Sequence, residues 1–84
     1  MQSKYVVYIL ECRDGSFYTG ITIDMQKRFT KHAAGLGGAY TRSHPPVKIL
    51  YQEKVVDRSQ ALKREAELKK LSKAQKEKLI AIIR

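Results

Sequence analysis

The amino-acid sequence predicts an α/β (α+β) domain in which helices flank a three-stranded antiparallel sheet, with the elements in the order β-β-α-β-α-α. Two N-terminal segments rich in β-branched and aromatic residues lie on either side of a short turn, which indicates a hairpin. Apolar residues at helical spacing follow, and two capping boxes mark later helix starts. Because the chain has 84 residues, these elements are expected to form one domain over residues 1–84.

The first two elements are predicted to form a β-hairpin from residues 5–11 and 17–23. Arg13-Asp14-Gly15 between them is typical of a three-residue loop in which Gly15 takes the left-handed bulge conformation. The alternative is a two-residue turn at Asp14-Gly15. That turn would place Tyr8 and Tyr18 on opposite faces of the sheet, because a shift of one residue reverses every side chain.

The three-residue loop sets the pairing between the strands. Tyr18 then lies opposite Leu10, and Tyr8 lies opposite Gly20, so the two phenols share one face. Because Gly20 has no side chain, a small gap is expected beside the Tyr8 hydroxyl.

Helix signals follow the hairpin. Asp24 is a suitable N-cap for a helix that reaches about residue 34, with Met25 and Phe29 in a stripe that continues to Leu36. Glycines 35, 37 and 38 are expected to end the helix and to open a flexible loop over residues 39–42. Two prolines then lead into a third strand at residues 47–55.

Two capping boxes predict the C-terminal helices. Asp57 and Gln60 begin a helix to about residue 71, and Ser72 and Gln75 begin the last helix. In the last helix, the apolar residues expected to point inward are Leu79, Ile80 and Ile83.

Charge points to a polyanionic partner. The chain has 17 Lys and Arg against 8 Asp and Glu, a formal net charge of +9, which creates a positive surface field. Nucleic acid is the first expectation, and an acidic membrane surface or an acidic protein is the alternative. The single cysteine, Cys12, excludes an internal disulfide and a structural zinc cluster. With no signal peptide or membrane span in the sequence, a cytoplasmic location is expected.

Glu65 is the most informative single position. Counted at about 100° per residue, it falls among Ala61, Leu62 and Leu68, in the apolar stripe of its helix. An unpaired charge there is costly, so Glu65 either lines a cleft and binds a divalent cation or pairs with an arginine in a rotated helix. Glu67 falls on the polar side.

Arg28 and His32 form an i,i+4 pair on the first helix. The guanidinium fork of Arg28 matches two phosphate oxygens, which makes a phosphate site one interpretation. The alternative is an ordinary amphipathic helix in which the arginine extends to solvent.

Together these residues resemble the GIY-YIG endonucleases, specifically their small stand-alone bacterial group, over about residues 5–79. Val6-Val7-Tyr8 stands at the first triplet and Tyr18-Thr19-Gly20 at the second. Arg28 and His32 resemble the family's helix residues, and Glu65 its metal-binding glutamate. The chain departs from the pattern in lacking the first glycine, in having Thr19 for isoleucine, and in containing no asparagine.

The resemblance implies a metal-dependent endonuclease that hydrolyses phosphodiester bonds. It implies a Mg²⁺ ion, or Mn²⁺, at Glu65, and Arg28 on a phosphoryl oxygen. It also implies Tyr8 as the general base, assisted by Tyr18 or His32. His32 is the rival base because an ordinary imidazole titrates near neutral pH, and the sequence leaves the choice open.

Backbone contacts are expected to dominate binding, so the predicted sequence specificity is low. The expected substrate is nucleic acid, DNA rather than RNA, and not a membrane. The alternative function is a non-catalytic nucleic-acid-binding module with the same fold. The candidate binding residues are Gly20, Lys27, Lys31, Tyr40, Arg42, Lys63 and Arg64, with Lys48, Lys69 and Lys70 as further cations.

Overall fold

The computed structural model describes residues 4–83. The strands are β1 (Tyr5–Cys12), β2 (Phe17–Thr22) and β3 (Pro46–Val55). The helices are α1 (Met25–Ala33), α2 (Ala39–Ser43), α3 (Arg58–Lys69) and α4 (Lys73–Ile83). The predicted α+β class and its three-stranded antiparallel sheet are confirmed, and α2 is an additional short helix.

The strands are ordered β2-β1-β3, so β1 is central and β2 is an edge strand. Side chains alternate between the two faces of the sheet, and each face has its own apolar cluster. On one face Tyr8 and Leu10 pack with Met25 of α1. On the other face the buried residues are Val7, Ile9, Tyr51, Ala61, Leu68 and Ile80, from the sheet, α3 and α4.

The hairpin has the predicted three-residue loop. The Cys12 amide donates to the Ser16 carbonyl at 2.8 Å, and Gly15 has a φ of +87°, a conformation that glycine adopts without steric cost. Tyr8 therefore lies opposite Gly20, and Leu10 lies opposite Tyr18. The expected gap at Gly20 is absent, because the Tyr8 ring itself occupies the space over this glycine.

The predicted helix starts are also confirmed. The Asp24 carboxylate accepts from the Lys27 amide at 3.1 Å, and the Asp57 carboxylate accepts from the Gln60 amide at 2.9 Å. At α4 the capping box is reciprocal: the Ser72 amide donates to Gln75 Oε1 at 2.9 Å, and the Gln75 amide donates to Ser72 Oγ at 3.2 Å. Each bond satisfies a backbone donor that the first helical turn leaves free.

Three local expectations need correction or fall outside the described residues. Residues 39–42 belong to helix α2 and do not form a flexible loop. Leu36 lies beyond the end of α1 and is 75% exposed, so the apolar stripe of α1 stops before it. Ile80 is buried and Leu79 packs against the core as predicted, whereas the side chain of Ile83 lies outside the described residues. Within residues 4–83, no helix is both long and apolar enough to cross a membrane.

Candidate active site

A buried hydrogen-bond chain connects β1, α1 and α2. The Tyr8 hydroxyl lies 2.9 Å from His32 Nε2, and His32 Nδ1 lies 2.6 Å from Thr41 Oγ1. Tyr8 and His32 are 0% exposed and Thr41 is 1% exposed. Because both ring nitrogens have a hydroxyl partner, the imidazole is fixed in orientation, and either tautomer satisfies the chain. Thr41 was not predicted as a site residue, because no local sequence signal connects it to His32.

Burial keeps the two titrating groups of this hydrogen-bond chain, Tyr8 and His32, neutral near pH 7. Desolvation lowers the pKa of His32, and the charge of Arg28 lowers it further. Desolvation also raises the pKa of Tyr8, with smaller contributions from Tyr18 and Glu65, while the Arg28 guanidinium opposes the rise. Both shifts oppose transfer of the phenolic proton to the imidazole, and Arg28 is the cation placed to stabilise a phenolate at Tyr8.

Two glycines allow this close packing. A Cβ atom on Gly20 would lie 2.5 Å from the Tyr8 hydroxyl oxygen and 2.7 Å from Tyr8 Cζ. A Cβ atom on Gly37 would run into the ring of His32. The sequence indicated Gly37 only as a helix terminator, whereas its missing side chain makes room for the imidazole.

Arg28 lies beside this hydrogen-bond chain, one turn before His32 on α1. Its Nη2 donates weakly to the Gly37 carbonyl at 3.4 Å. Its Nε is buried without a hydrogen-bond partner in the part of the chain that the structure describes. Buried donors are almost always paired, so the Arg28 Nε–H stands out as a donor that is free to bond an acceptor from outside the described residues. Lys27 and Lys31 line an open cleft of about 300 Å³ together with Arg28.

Aromatic rings extend from the buried chain to the surface. The Tyr18 ring lies 5.1 Å from the His32 ring, edge to face, and stacks on Tyr40 at 5.8 Å. Tyr40 also stacks on His44 at 4.3 Å, and its hydroxyl donates to Ser16 Oγ at 2.6 Å. Tyr40 is 39% exposed, so Tyr18 and Tyr40 form an accessible wall of the site.

Glu65 lies on α3, which packs on the opposite face of the sheet from α1. Its side chain is 19% exposed and pairs with Lys69 Nζ at 3.4 Å, not with an arginine. Its charge still contributes to the raised pKa of Tyr8. The apolar stripe is narrower than predicted, because Ala61 and Leu68 are fully buried but Leu62 is 42% exposed.

Among the predicted site residues, Glu65 is the one with a carboxylate that could bind a metal ion. Among residues 4–83, no group of three or more His, Cys, Asp or Glu side chains could hold a metal. Mg²⁺ is commonly bound by one or two carboxylates, with water and substrate phosphate completing its octahedron. The donor set therefore fits an open hard-ion site that a phosphate completes, and it does not fit a cage made by protein ligands alone.

The other predicted cations differ in their surroundings. Arg64 donates to Glu53 at 2.9 Å and to Glu67 at 3.3 Å, and with Lys63 it lines a groove that also contains these two carboxylates. The groove is directed to β3, where Glu53 lies, and not to the Tyr8 chain. Its charges are largely balanced within the protein.

Three further cations lie at the surface. Lys48 pairs with Glu11 at 3.5 Å. Arg42 on α2 and Lys70 after α3 are exposed. Of the predicted residues, the structure brings Tyr8, Tyr18, Gly20, Arg28 and His32 together on one face, with Tyr40, Lys27 and Lys31 at its rim.

This compact α+β domain carries two tyrosines on its hairpin, an arginine and a histidine on one helix, and a glutamate on a later helix. These features together define a domain of the nuclease type. The family description "GIY-YIG catalytic domain" matches residues 4–78, and the chain belongs to the GIY-YIG family, a nuclease superfamily.

Relatives of similar length are similar in sequence. UPF0213 protein SSP2268 of Staphylococcus saprophyticus is 47% identical over 78 residues, covering 93% of this chain and 95% of the relative. UPF0213 protein VNG_2274C of Halobacterium salinarum is 48% identical over 73 residues, covering 87% and 95%. The solution NMR structure of protein EF2693 from E. faecalis is 40% identical and has a TM-score of 0.64, covering 99% of this chain and 91% of that chain.

Proposed function

We propose that this protein is a metal-dependent endonuclease that hydrolyses nucleic-acid phosphodiester bonds with low sequence specificity. The observation that carries the proposal is the buried, unpaired Nε of Arg28 beside the Tyr8–His32 pair. A guanidinium N–H without a partner is satisfied by a phosphoryl oxygen, and the nearby phenol and imidazole supply proton transfer.

Tyr8 and His32 act together in this proposal. A phenol accepts a proton from water only after it has released its own, and the acceptor at 2.9 Å is His32 Nε2. The lowered pKa of His32 keeps its imidazole neutral and unprotonated at neutral pH, whereas the raised pKa of Tyr8 opposes release of the phenolic proton, so the Arg28 guanidinium must stabilise the phenolate as it forms. Tyr8 is then the base next to the attacking water, and His32 holds the proton that the Tyr8 phenol has released.

Substrate binding must open the site. Tyr8 and His32 are 0% exposed, so a phosphate and a water reach the phenol only when a neighbouring side chain moves. Arg28 and Tyr18 lie beside the phenol and are partly exposed, which makes them the groups that shift. The phosphate would draw the guanidinium toward itself and uncover the Tyr8 hydroxyl.

Glu65 would hold the divalent cation, Mg²⁺ or Mn²⁺, after releasing Lys69. When bound, such an ion supplies Lewis-acid stabilisation of the charge that develops on phosphate oxygens. DNA is the expected polymer. The excess of nine positive charges supports contacts to the phosphate backbone, which carry little sequence information.

The test is nicking of supercoiled plasmid by the full chain with Mg²⁺ or Mn²⁺. Glu65→Gln is expected to abolish nicking. Glu67→Gln removes the same charge from the same helix at an exposed side chain and is expected to retain nicking. Arg28→Ala is expected to reduce the rate by about 10²–10³-fold, as for loss of a donor to a developing anion.

The outcomes of this assay distinguish a nuclease from a non-catalytic binding module. Binding of DNA without metal-dependent nicking by the wild-type chain would support the non-catalytic module. Equal loss in Glu65→Gln and Glu67→Gln would contradict the role of Glu65.

A further inference from the structure

Lys76 on α4 is a half-buried cation without an anionic partner. Its Nζ donates to Thr19 Oγ1 at 3.2 Å, and no carboxylate of residues 4–83 lies within ion-pair distance of it. By contrast, Lys48 and Lys69 do have carboxylate partners, although each side chain is 57% exposed. An ammonium that has lost part of its hydration and gained only a neutral hydroxyl is destabilised.

The surroundings of Lys76 are cationic. Burial lowers its pKa, and the charge of Lys69 lowers it further. One turn earlier on α4, Lys73 donates to the Gly15 carbonyl at 2.7 Å and lies over the Phe17 ring at 5.0 Å. The two α4 lysines thus bond neutral partners on the hairpin, Thr19 on β2 and Gly15 in the loop, so this side of the hairpin has an excess of positive charge.

Thr19 connects this region to the candidate active site. It lies between Tyr18 and Gly20 on β2, and neighbouring residues of a strand point to opposite faces. Tyr18 and Gly20 face α1 and the Tyr8 chain, whereas the Thr19 hydroxyl meets Lys76 of α4. Since β2 is an edge strand, Arg28 and Lys76 lie on opposite faces of the sheet at the same edge.

We propose that Lys76, positioned by the buried Thr19 hydroxyl, forms together with Lys69 a second phosphate-binding site that holds the nucleic-acid backbone on the α4 side of β2. The ligand class rests on the proposed function, which puts a phosphodiester at Arg28. A polymer with a charge on every unit satisfies both cations at once as it crosses the edge strand, whereas a single small anion satisfies one. Lys69 becomes available when its pair with Glu65 opens.

The test is the salt dependence of DNA binding in metal-free buffer with a chelator, so that cleavage does not enter. The probe is a fluorescein-labelled DNA duplex, and the readout is anisotropy. Lys76→Gln is expected to weaken binding about tenfold at low salt and to reduce the slope of log affinity against log salt by about 0.9, the value for one lost phosphate contact. Lys78→Gln is the matched control, because Lys78 is an exposed lysine on the same helix.

Two measurements keep the result independent of folding defects. Lys76→Arg preserves the charge and is expected to retain the wild-type slope. In the wild-type chain, the NMR signals of the Lys76 side chain are expected to shift more than those of Lys78 when the duplex is added.

Equal slopes for Lys76→Gln and Lys78→Gln, or equal NMR shifts at the two lysines, would overturn the second phosphate site. That result would leave the nuclease proposal standing if plasmid nicking is observed. Conversely, a Lys76-specific slope without nicking would retain the phosphate site and remove the catalytic function.

Discussion

Gly20→Ala tests whether the glycine of the second triplet exists to accommodate Tyr8. A methyl group at this position would lie 2.5 Å from the Tyr8 hydroxyl oxygen, where ordinary contacts begin at 3.4 Å. The phenol would have to retreat by about 0.9 Å. Tyr8 is 0% exposed, so it has no free space to enter, and the retreat would break its bond to His32.

The expected cost combines three effects. Overpacking a well-packed site costs about 1–3 kcal/mol, and loss of the Tyr8–His32 bond costs about 1 kcal/mol. Replacing glycine in a strand returns about 0.5–1 kcal/mol of backbone entropy. The net loss is about 2 kcal/mol, which lowers Tm by roughly 8–16 °C in a domain of this size.

The assay is thermal and chemical unfolding of a double-mutant cycle with Tyr8→Phe. Tyr8→Phe removes the oxygen that the new methyl group meets, although Cζ remains 2.7 Å away. The double variant is therefore expected to lose about 1 kcal/mol less than the sum of the single losses. A Gly20→Ala protein within about 0.5 kcal/mol of wild type, or strictly additive losses, would refute the packing explanation.

Two further predictions concern His32 and the comparison of Arg64 with Lys27. Burial lowers the pKa of His32 in the folded state, so on acidification the unfolded chain takes up the proton first, and the stability due to neutral His32 is fully present above about pH 6.5 and falls as the pH decreases below that value. In His32→Gln, denaturant titrations should no longer show this part of the decrease. An unchanged pH dependence of stability in the variant would contradict the prediction. Arg64→Gln should lower the free energy of unfolding by about 1 kcal/mol because its pairing with Glu53 is lost, and it should leave the salt slope of DNA binding unchanged. Lys27→Gln should lower that slope by about 0.9. The reverse pattern would show that Arg64, and not Lys27, contacts the DNA.

Features with local causes could be predicted from the sequence. The hairpin loop follows from Gly15, whose positive φ any other residue would adopt at a cost. Helix starts follow from side chains that bond amides three residues later, as at Asp24, Asp57 and Ser72. Once the loop length was known, the shared face of Tyr8 and Tyr18 followed from strand alternation.

Helix α2 has no such local cause. Gly38 at its N-cap offers no side-chain hydrogen bond, and five residues are too few to be stable alone. Contacts distant in sequence hold it: Tyr40 donates to Ser16 of the hairpin, and Thr41 bonds His32 of α1. The pairing of Arg64 with Glu53 and of Lys76 with Thr19 also depends on chain folding, so periodicity could not indicate either one.

The departures from the family triplets have separate physical explanations. At the first triplet, Val6 stands in place of glycine, and it packs against the cluster of Tyr8, Leu10 and Met25, so a side chain there adds apolar contact. The second glycine, Gly20, lies directly under the Tyr8 phenol and has no room for even one carbon. A glycine is therefore not required at the first triplet, whereas at the second triplet the Tyr8 ring leaves no room for a side chain.

Thr19, which stands where the family has isoleucine, gives a hydroxyl to a strand position that faces α4. An isoleucine there would add apolar contact on the Ile9 and Leu68 side of the sheet, yet it would leave the Lys76 ammonium without its hydrogen bond. The half-buried Lys76 and the buried Thr19 are therefore coupled, because each provides a hydrogen-bond partner for a polar group of the other. In a protein with isoleucine at this position, a lysine at the position of Lys76 should extend to solvent. The α4 side of β2 would then hold no lysine in a fixed place for a phosphate to bind.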